Sequence, residues 1–325
     1  MKLLLILYKK IKKKLSIFHK KILIYKFYIP KVTNKSFNNK PRIIICCDGI
    51  FPHGGLIDRL KGIVSFYEVA IKLDYDFFIY FDNPFELTSF LIPNKVNWII
   101  SKKDINYNPR TSSILYLMDN FDLNPVELVK SKKSKNIIVY SNVDYLEKIN
   151  LGKSHQEINT IWRNNFNTLF KESAQLHAAI KKLTQEKRIT IHTRFTSLMG
   201  DFKDTTSGIL NEIEKHDLML KIIKEIDIIQ SLDNNSKIYI LSDSIFFLDY
   251  IKRNTSYHTL AGSPKHTDIK NNQSNLESHF KTFSDFYFMV NSDEIYLLRL
   301  DKMYNSGFSR YASILGNKEF KVITS

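Results

Sequence analysis

Over the first thirty positions apolar residues recur at three- and four-residue steps (Leu4, Leu7 or Tyr8, Ile11, Leu15, Phe18, Ile22, Tyr25 and Ile29), and lysines fill the opposite arc. This pattern predicts a basic amphipathic helix. Its longest apolar run, Leu3–Tyr8, is too short to cross a bilayer or to form a signal-peptide core. Asn34–Pro41 then reads as a polar linker. Beyond it the period alternates between strand and helix. Arg42–Cys47 is a β-branched run with the look of a buried strand, and Leu60, Ile63, Val64, Tyr67, Ala70 and Ile71 follow at helical spacing. Further strands are predicted at Asp76–Phe81, Asn97–Ser101 and Asn136–Ser141, with Phe85–Pro93 and Trp98 as packing features. From His155 to about Lys187 one or two helices carry Ile158, Ile161, Trp162, Phe166, Leu169 and Phe170 on one face.

The second half repeats the alternation. Strand Ile189–Thr193 precedes a helix at Leu210–Ser231, strand Lys237–Leu241 a helix at Ile245–Lys252, and the strand-like Tyr257–Leu260 a helix at Phe280–Asn291. Strand Glu294–Arg299 and a short helix begun by Ser306 and ended by Gly316 complete the pattern. Alternating strands and helices imply an α/β fold. The expected division is a basic segment and linker at 1–40, one α/β domain at 41–155 and a second at 156–325.

The formal charge of +15 suggests nucleic acid until its position is considered. Residues 1–42 hold twelve lysines, Arg42 and no acidic residue; the other thirty-five basic residues face thirty-three acidic ones. A nearly neutral body argues against a groove that tracks a phosphate backbone. The amphipathic segment is instead expected to lie in the interface of an anionic membrane, the competing reading being a helix docked on the protein's own body. The two cysteines, Cys46 and Cys47, are adjacent in a predicted strand and point to opposite faces, so they are not expected to be bridged. A reducing cytoplasmic compartment, with peripheral association at the inner face of the membrane, fits this usage.

The candidate chemistry centres on Arg188–Asp204. Arg194 stands where a strand gives way to a loop, the place from which a guanidinium reaches phosphates at the carboxyl end of an open sheet. His192 shares its strand face. The competing reading is a rim arginine paired with Asp201 or Asp204. Gly54 and Gly55, between strand and helix, let a ligand approach backbone amides at a helix start; otherwise they form a tight turn with Asp58 as helix cap. Among Ser242, Asp243 and Ser244 one residue is a helix cap, or the group holds a base or ribose hydroxyl. The first turn after Ser306 offers amides and the Ser309 hydroxyl to a phosphate. His266 is expected to be structural.

Taken together, GGLIDRLKGI (Gly54–Ile63), IHTR (Ile191–Arg194), ILSDS (Ile240–Ser244) and the stretch from FSDFYFMV to NSGFSRYASILGN resemble the GDP-fucose-dependent fucosyltransferase superfamily. That superfamily includes the nodulation, α-1,2- and α-1,6-fucosyltransferases and the protein O-fucosyltransferases. The resemblance covers most of residues 42–320. It implies two Rossmann-like domains in a GT-B-type arrangement, with the nucleotide sugar held mainly by the second. It also implies Arg194 on the β-phosphate, His192 near the nucleoside, Asp243 on the guanosine, and Ser306, Ser309 and the Phe308 amide around the phosphates. Gly54, Gly55 and Arg59 of the first loop, and Asp201, join the expected substrate-binding set, and Asp58 is the expected base. Such enzymes are typically inverting, with no metal and no cofactor beyond the nucleotide-sugar donor. The chain departs from the common pattern where Phe195–Met199 separate Arg194 from Gly200 and Asp201. The expected activity is transfer of a sugar, fucose from GDP-fucose, to a glycan or glycolipid in bacterial surface polysaccharide or lipopolysaccharide synthesis. A transferase for another nucleotide sugar, or a non-catalytic carbohydrate-binding or scaffold protein at the membrane surface, is the alternative.

Overall fold

The computed structural model describes residues 8, 11, 12, 14–16, 18–20, 22, 23, 25, 26, 40–182, 186–202, 208–264 and 276–324. Most of the linker, Asp204 and His266 lie outside these residues. The chain forms two compact units: Met1–Glu86 with Pro93–Phe170, and Leu87–Ile92 with Lys171–Ser325.

The first unit is built on a parallel sheet of β1 (Arg42–Cys47), β2 (Asp76–Phe81), β4 (Ser112–Tyr116) and β5 (Asn136–Tyr140), in the order β2-β1-β5-β4. Ile43 to Cys47 are wholly buried, as an interior parallel strand covered on both faces requires. Cys46 and Cys47 are free thiols, and burial pushes both up, Cys47 to about 12. Helix α1 (Leu56–Leu73) follows β1. At Gly62 an added methyl would stand 2.2 Å from the Ser141 carbonyl oxygen, so only glycine lets α1 lie this close to the end of β5. On one face Ile44, Cys46, Tyr80, Ile114, Tyr116, Ile138 and Tyr140 pack with Phe51, Ile105 and Tyr107. The predicted strand at Asn97–Ser101 is replaced by a single bridge from Ile99 to Ile79. Trp98 turns inward there, its indole N–H donating to the Leu169 carbonyl at 2.7 Å. The fourth strand is instead β4, which the pattern does not reveal.

Helices α2 (Pro125–Lys130) and α3 (Leu146–Ile149) precede α4 (His155–Leu169), whose start is a reciprocal Ser154–Glu157 cap. The expected apolar face of α4 is buried through Ile158, Trp162, Phe166 and Leu169. The three-residue strands β3 (Leu91–Pro93) and β6 (Phe170–Glu172) lie where the chain leaves one unit for the other. Helix α5 (Ala174–Lys182) starts the main part of the second unit.

That unit carries a five-stranded parallel sheet, β11-β10-β7-β8-β9, from β7 (Arg188–Thr193), β8 (Lys237–Ser242), β9 (His258–Thr259), β10 (Glu294–Arg299) and β11 (Glu319–Thr324). The edge strand β11 is a further addition to the sequence reading. The helices are α6 (Glu212–Leu232), α7 (Ile245–Asn254), α8 (Leu276–Val290) and α9 (Gly307–Gly316). Leu87–Ile92 belongs here although it comes early in the chain: Phe90 is buried and stacks on Phe283 of α8, ring centroids 4.2 Å apart. Ser173 fixes the same segment, its N–H donating to the Phe90 carbonyl and its hydroxyl to that of Ser89.

Candidate functional site

Strand β7 is the middle strand of its sheet, flanked by β8 and β10, so the loop beyond Thr193 emerges at the carboxyl end of a parallel sheet, where such folds bind ligands. Arg194 is the first residue past the strand. Its Nη1 lies 3.2 Å from Oδ2 of Asp243, which comes directly after β8. The carboxylate also accepts the N–H groups of Phe195 and Thr196, each at 2.8 Å. Burial pushes the Asp243 carboxyl above its ordinary value, against the pull of Arg194 and of those amides. Thr196 has φ +57°, a left-handed conformation that a β-branched residue adopts only when neighbours hold it; the Asp243 bond does so. The competing reading of a rim pair with Asp201 is not what forms: Asp201 turns to the start of the helix after β8 and a carboxylate facing Arg194 comes from the end of the neighbouring strand, while Asp204 lies outside the described residues. Phe202 lies under the guanidinium at 4.6 Å.

The Phe195–Met199 departure packs inward. Phe195, Leu198 and Met199 are buried among the Ile and Leu side chains of β7, β8 and α6, and Phe195 is 5.0 Å from the Phe247 ring. Its far end returns Asp201 to the start of α7, where Oδ2 accepts the Ser244 hydroxyl at 3.0 Å and the Phe246 N–H at 2.7 Å. Ser244 caps the same helix by accepting from Phe247 N. Of the three residues Ser242, Asp243 and Ser244, the cap is therefore Ser244, and Asp243 is left to the loop.

On the other side of β7, His192 Nδ1 is 3.1 Å from the Ser309 hydroxyl and its ring 5.7 Å from that of Phe308. Both His192 and Ser309 are buried. Burial, and then the nearby Arg194 charge, lowers His192 to about 3, so the imidazole is neutral at neutral pH. Ser306 caps α9 and its hydroxyl accepts the Phe308 N–H at 3.2 Å. The Tyr304 N–H donates to the Arg194 carbonyl, tying the loop after β10 to the same point. The second unit thereby gathers Arg194, Asp243, Asp201, His192, Ser306, Phe308 and Ser309 at one end of its sheet.

Gly54 and Gly55 stand at the equivalent end of the first sheet, between β1 and α1, and Asp58 and Arg59 in the first turn of α1. Gly54 has φ +75°, which favours glycine, and an added methyl would meet Asp58 Oδ2 at 2.7 Å. Gly55 is the helix cap and nothing stands within 4 Å of where its methyl would be. Asp58 is not the cap: it lies in the first turn, half-exposed, 3.0 Å from Lys61 Nζ. Arg59 is buried, donating to the carbonyls of Gly54 and Asn83 with its guanidinium 5.4 Å from the Phe81 ring. It braces the loop from beneath. Two groups that the sequence reading missed join this end. Asp48 Oδ2 accepts the Tyr140 hydroxyl at 2.8 Å, and the Tyr80 hydroxyl donates to Asp82; the Asp48-Gly49 pair after a strand is the signal for the first, and the second carries none. Also missed was the buried Lys281–Asp285 pair in α8, whose i,i+4 spacing is ordinary for a helix surface. Among the described residues no group of three or more His, Cys, Asp or Glu side chains is placed to hold a metal ion.

No protein-family model matches the chain, and no curated protein matches it in sequence. Solved structures do match in fold. A mutant of Arabidopsis thaliana FUT1 in complex with GDP superposes with a TM-score of 0.56 at 13% identity, covering 94% of this chain and 74% of the other. NodZ α-1,6-fucosyltransferase co-crystallised with GDP gives 0.54 at 14% identity over 86% and 93%, and fucosyltransferase NodZ from Bradyrhizobium gives 0.54 at 14% over 86% and 94%. At these identities the likeness is one of fold: a mixed α/β chain with Rossmann-like parallel sheets.

Proposed function

We propose that this chain is a glycosyltransferase that moves fucose from GDP-fucose to a glycan acceptor. The observation that carries the reading is Arg194, held by a buried carboxylate at the carboxyl end of a central strand, in a fold shared with fucosyltransferases solved with GDP. The two units correspond in this reading to the two domains of a GT-B enzyme, with the nucleotide on the second.

As the bond from the anomeric carbon to the β-phosphate oxygen breaks, its electron pair leaves with GDP and negative charge grows on the diphosphate. A guanidinium fixed in advance stabilises that charge more in the transition state than in the ground state. Asp243 acts through Arg194: by holding the loop amides and facing Nη1, it sets the direction of the fork. The first turn of α9 directs its positive dipole end at the same group, with Ser306 and Ser309 ordering that turn and neutral His192 beside the nucleoside. Arg194 takes the place a metal ion fills elsewhere. The acceptor hydroxyl oxygen attacks the anomeric carbon from the opposite face, with inversion, and its proton passes to a carboxylate of the first unit, Asp58. Synthesis of bacterial surface polysaccharide or lipopolysaccharide at the inner face of the cytoplasmic membrane fits the lysine-rich first segment.

Thermal unfolding with GDP, UDP, CDP and their sugars tests the donor. A ligand at one hundred times its dissociation constant stabilises by about 2.7 kcal/mol, and the shift is expected with GDP and GDP-fucose. A larger shift with a UDP- or CDP-sugar would move the reading to another donor, and no shift with any would sink it.

A further inference from the structure

The described residues between positions 8 and 26 are helical, and two sides of that helix meet different surroundings. Tyr8, Ile11, Leu15, Phe18 and Ile22 fall within an arc of about 80° at 3.6 residues per turn, and all five are exposed, Tyr8, Leu15 and Phe18 by more than 60%. Lys20 points the other way. Its ammonium donates to the Tyr116 hydroxyl at 3.0 Å and lies 5.1 Å from the centre of the Tyr116 ring. Five residues further on, Tyr25 packs against the aromatic cluster of the same unit. That cluster includes Phe51, whose ring is 5.1 Å from Tyr116 and 5.9 Å from Tyr140. The helix is therefore held to the first unit at Lys20 and, where the apolar stripe continues past Ile22, at Tyr25, while the stripe from Tyr8 to Ile22 is exposed.

A stripe of that kind on a water-soluble surface marks a contact, and charge selects its occupant. Thirteen basic residues and no acidic one lie in residues 1–42, while the rest of the chain is nearly neutral. A second copy of the chain thus presents no strongly acidic body to this segment, whereas a bilayer of anionic lipids offers both the apolar depth and the opposite charge. Among the described residues no helix is long and apolar enough to cross a membrane. We propose that this helix seats the first unit on an anionic bilayer in one fixed orientation: the Tyr8–Ile22 stripe enters the interface, while Lys20 and Tyr25 clamp the helix to the sheet face around Tyr116. It is a docked platform, not a loose tether. The proposal deepens the membrane placement of the reading above and fixes how the acceptor-side unit faces the lipid.

Two measurements on the full-length chain test it. In co-sedimentation, the chain binds phosphatidylcholine vesicles containing phosphatidylglycerol and ignores pure phosphatidylcholine. Leu15→Glu and Phe18→Glu each weaken that binding about tenfold or more, the scale of one apolar side chain withdrawn from lipid. Equal binding to both vesicle types, or stripe variants that bind as well as the parent, would overturn it, as would a stripe-dependent dimer in sedimentation equilibrium. For the clamp, a Lys20→Cys, Tyr116→Cys double variant should be joined by a short bifunctional maleimide both with and without vesicles; the native thiols are buried and do not compete. Failure to join in either condition would show a tether. Vesicle sedimentation needs no donor and GDP-induced stabilisation needs no membrane, so the two readings fail separately.

Discussion

Arg194 and Asp243 face each other across the ends of two neighbouring strands, 3.2 Å apart, and the carboxylate that meets the guanidinium also carries the first two amides of the loop beyond it. Removing the guanidinium and removing its support are thus different experiments. Arg194→Ala is expected to lose on the order of 3–4 kcal/mol of transition-state stabilisation, some hundred- to thousand-fold in transfer rate. Arg194→Lys should restore only part, because an ammonium lacks the planar fork. Near-normal turnover in a folded Arg194→Ala protein would remove the residue from the mechanism.

Asp243→Asn keeps the shape while weakening three interactions at once. It should lower stability by about 1–3 kcal/mol and reduce turnover with little change in apparent GDP affinity. Steady-state rates and melting temperatures measured side by side decide this: a loss confined to GDP binding would instead make Asp243 a nucleoside contact.

His192 and His53 are both neutral in the folded chain, lowered by burial to about 3 and about 4. Their unfolded values sit near 6.5, so between about pH 6.5 and 3 the unfolded chain binds more protons, and stability falls as pH falls through that window. Denaturant midpoints taken along this range should decline, and His192→Gln should make the decline shallower. A slope unchanged by that substitution would show that other groups govern acid unfolding.

Gly55 at the start of α1 and Gly62 within it separate ligand approach from helix packing. Gly55→Ala meets no atom and has φ −69°, so its melting temperature should match the parent; lost turnover in that variant would then report a ligand at the backbone. Gly62→Ala, which drives a methyl into the Ser141 carbonyl, should destabilise by roughly 1–3 kcal/mol or more whatever the substrate.

Asp201→Ala removes an acceptor for Phe246 N and an anion from a helix start, which typically costs about 1 kcal/mol. GDP should still stabilise the variant by the parent's increment. A larger loss of GDP binding than of stability would show that Asp201 also binds substrate.

The buried strands were legible because apolar runs such as the β-branched Arg42–Cys47 and the aromatic- and leucine-rich Glu294–Arg299 have no other good home than a covered parallel sheet. Ser112–Tyr116 escaped because two serines open it: Ser112 is buried only by donating its hydroxyl to the Asn106 carbonyl, a partner no periodicity announces. Asn97–Ser101 misled in the opposite direction, its apolar content serving the Trp98 contact to Leu169 and not a ladder. In the site, Arg194 could be placed from its position after a strand, whereas its partner could not, since Asp243 reaches it only through a loop with Thr196 in a left-handed conformation. Asp201 was similarly hidden, its cap on α7 depending on how the inserted Phe195–Met199 folds into the core.

Leu87–Ile92 lends Phe90 to the core of a unit whose other residues begin at Lys171. A chimera that exchanges one unit of this chain would most simply be cut at a single crossover. Here one junction, wherever between 93 and 170 it falls, would transplant the later unit without the strip that stacks on Phe283, leaving that ring and the Ser173 N–H and hydroxyl without their native partners. A functional hybrid needs a breakpoint on each side of residues 87–92 together with one near 170, or a donor whose own strip fits the same ring. Lineages of this fold would accordingly be expected to inherit the strip and the later unit together.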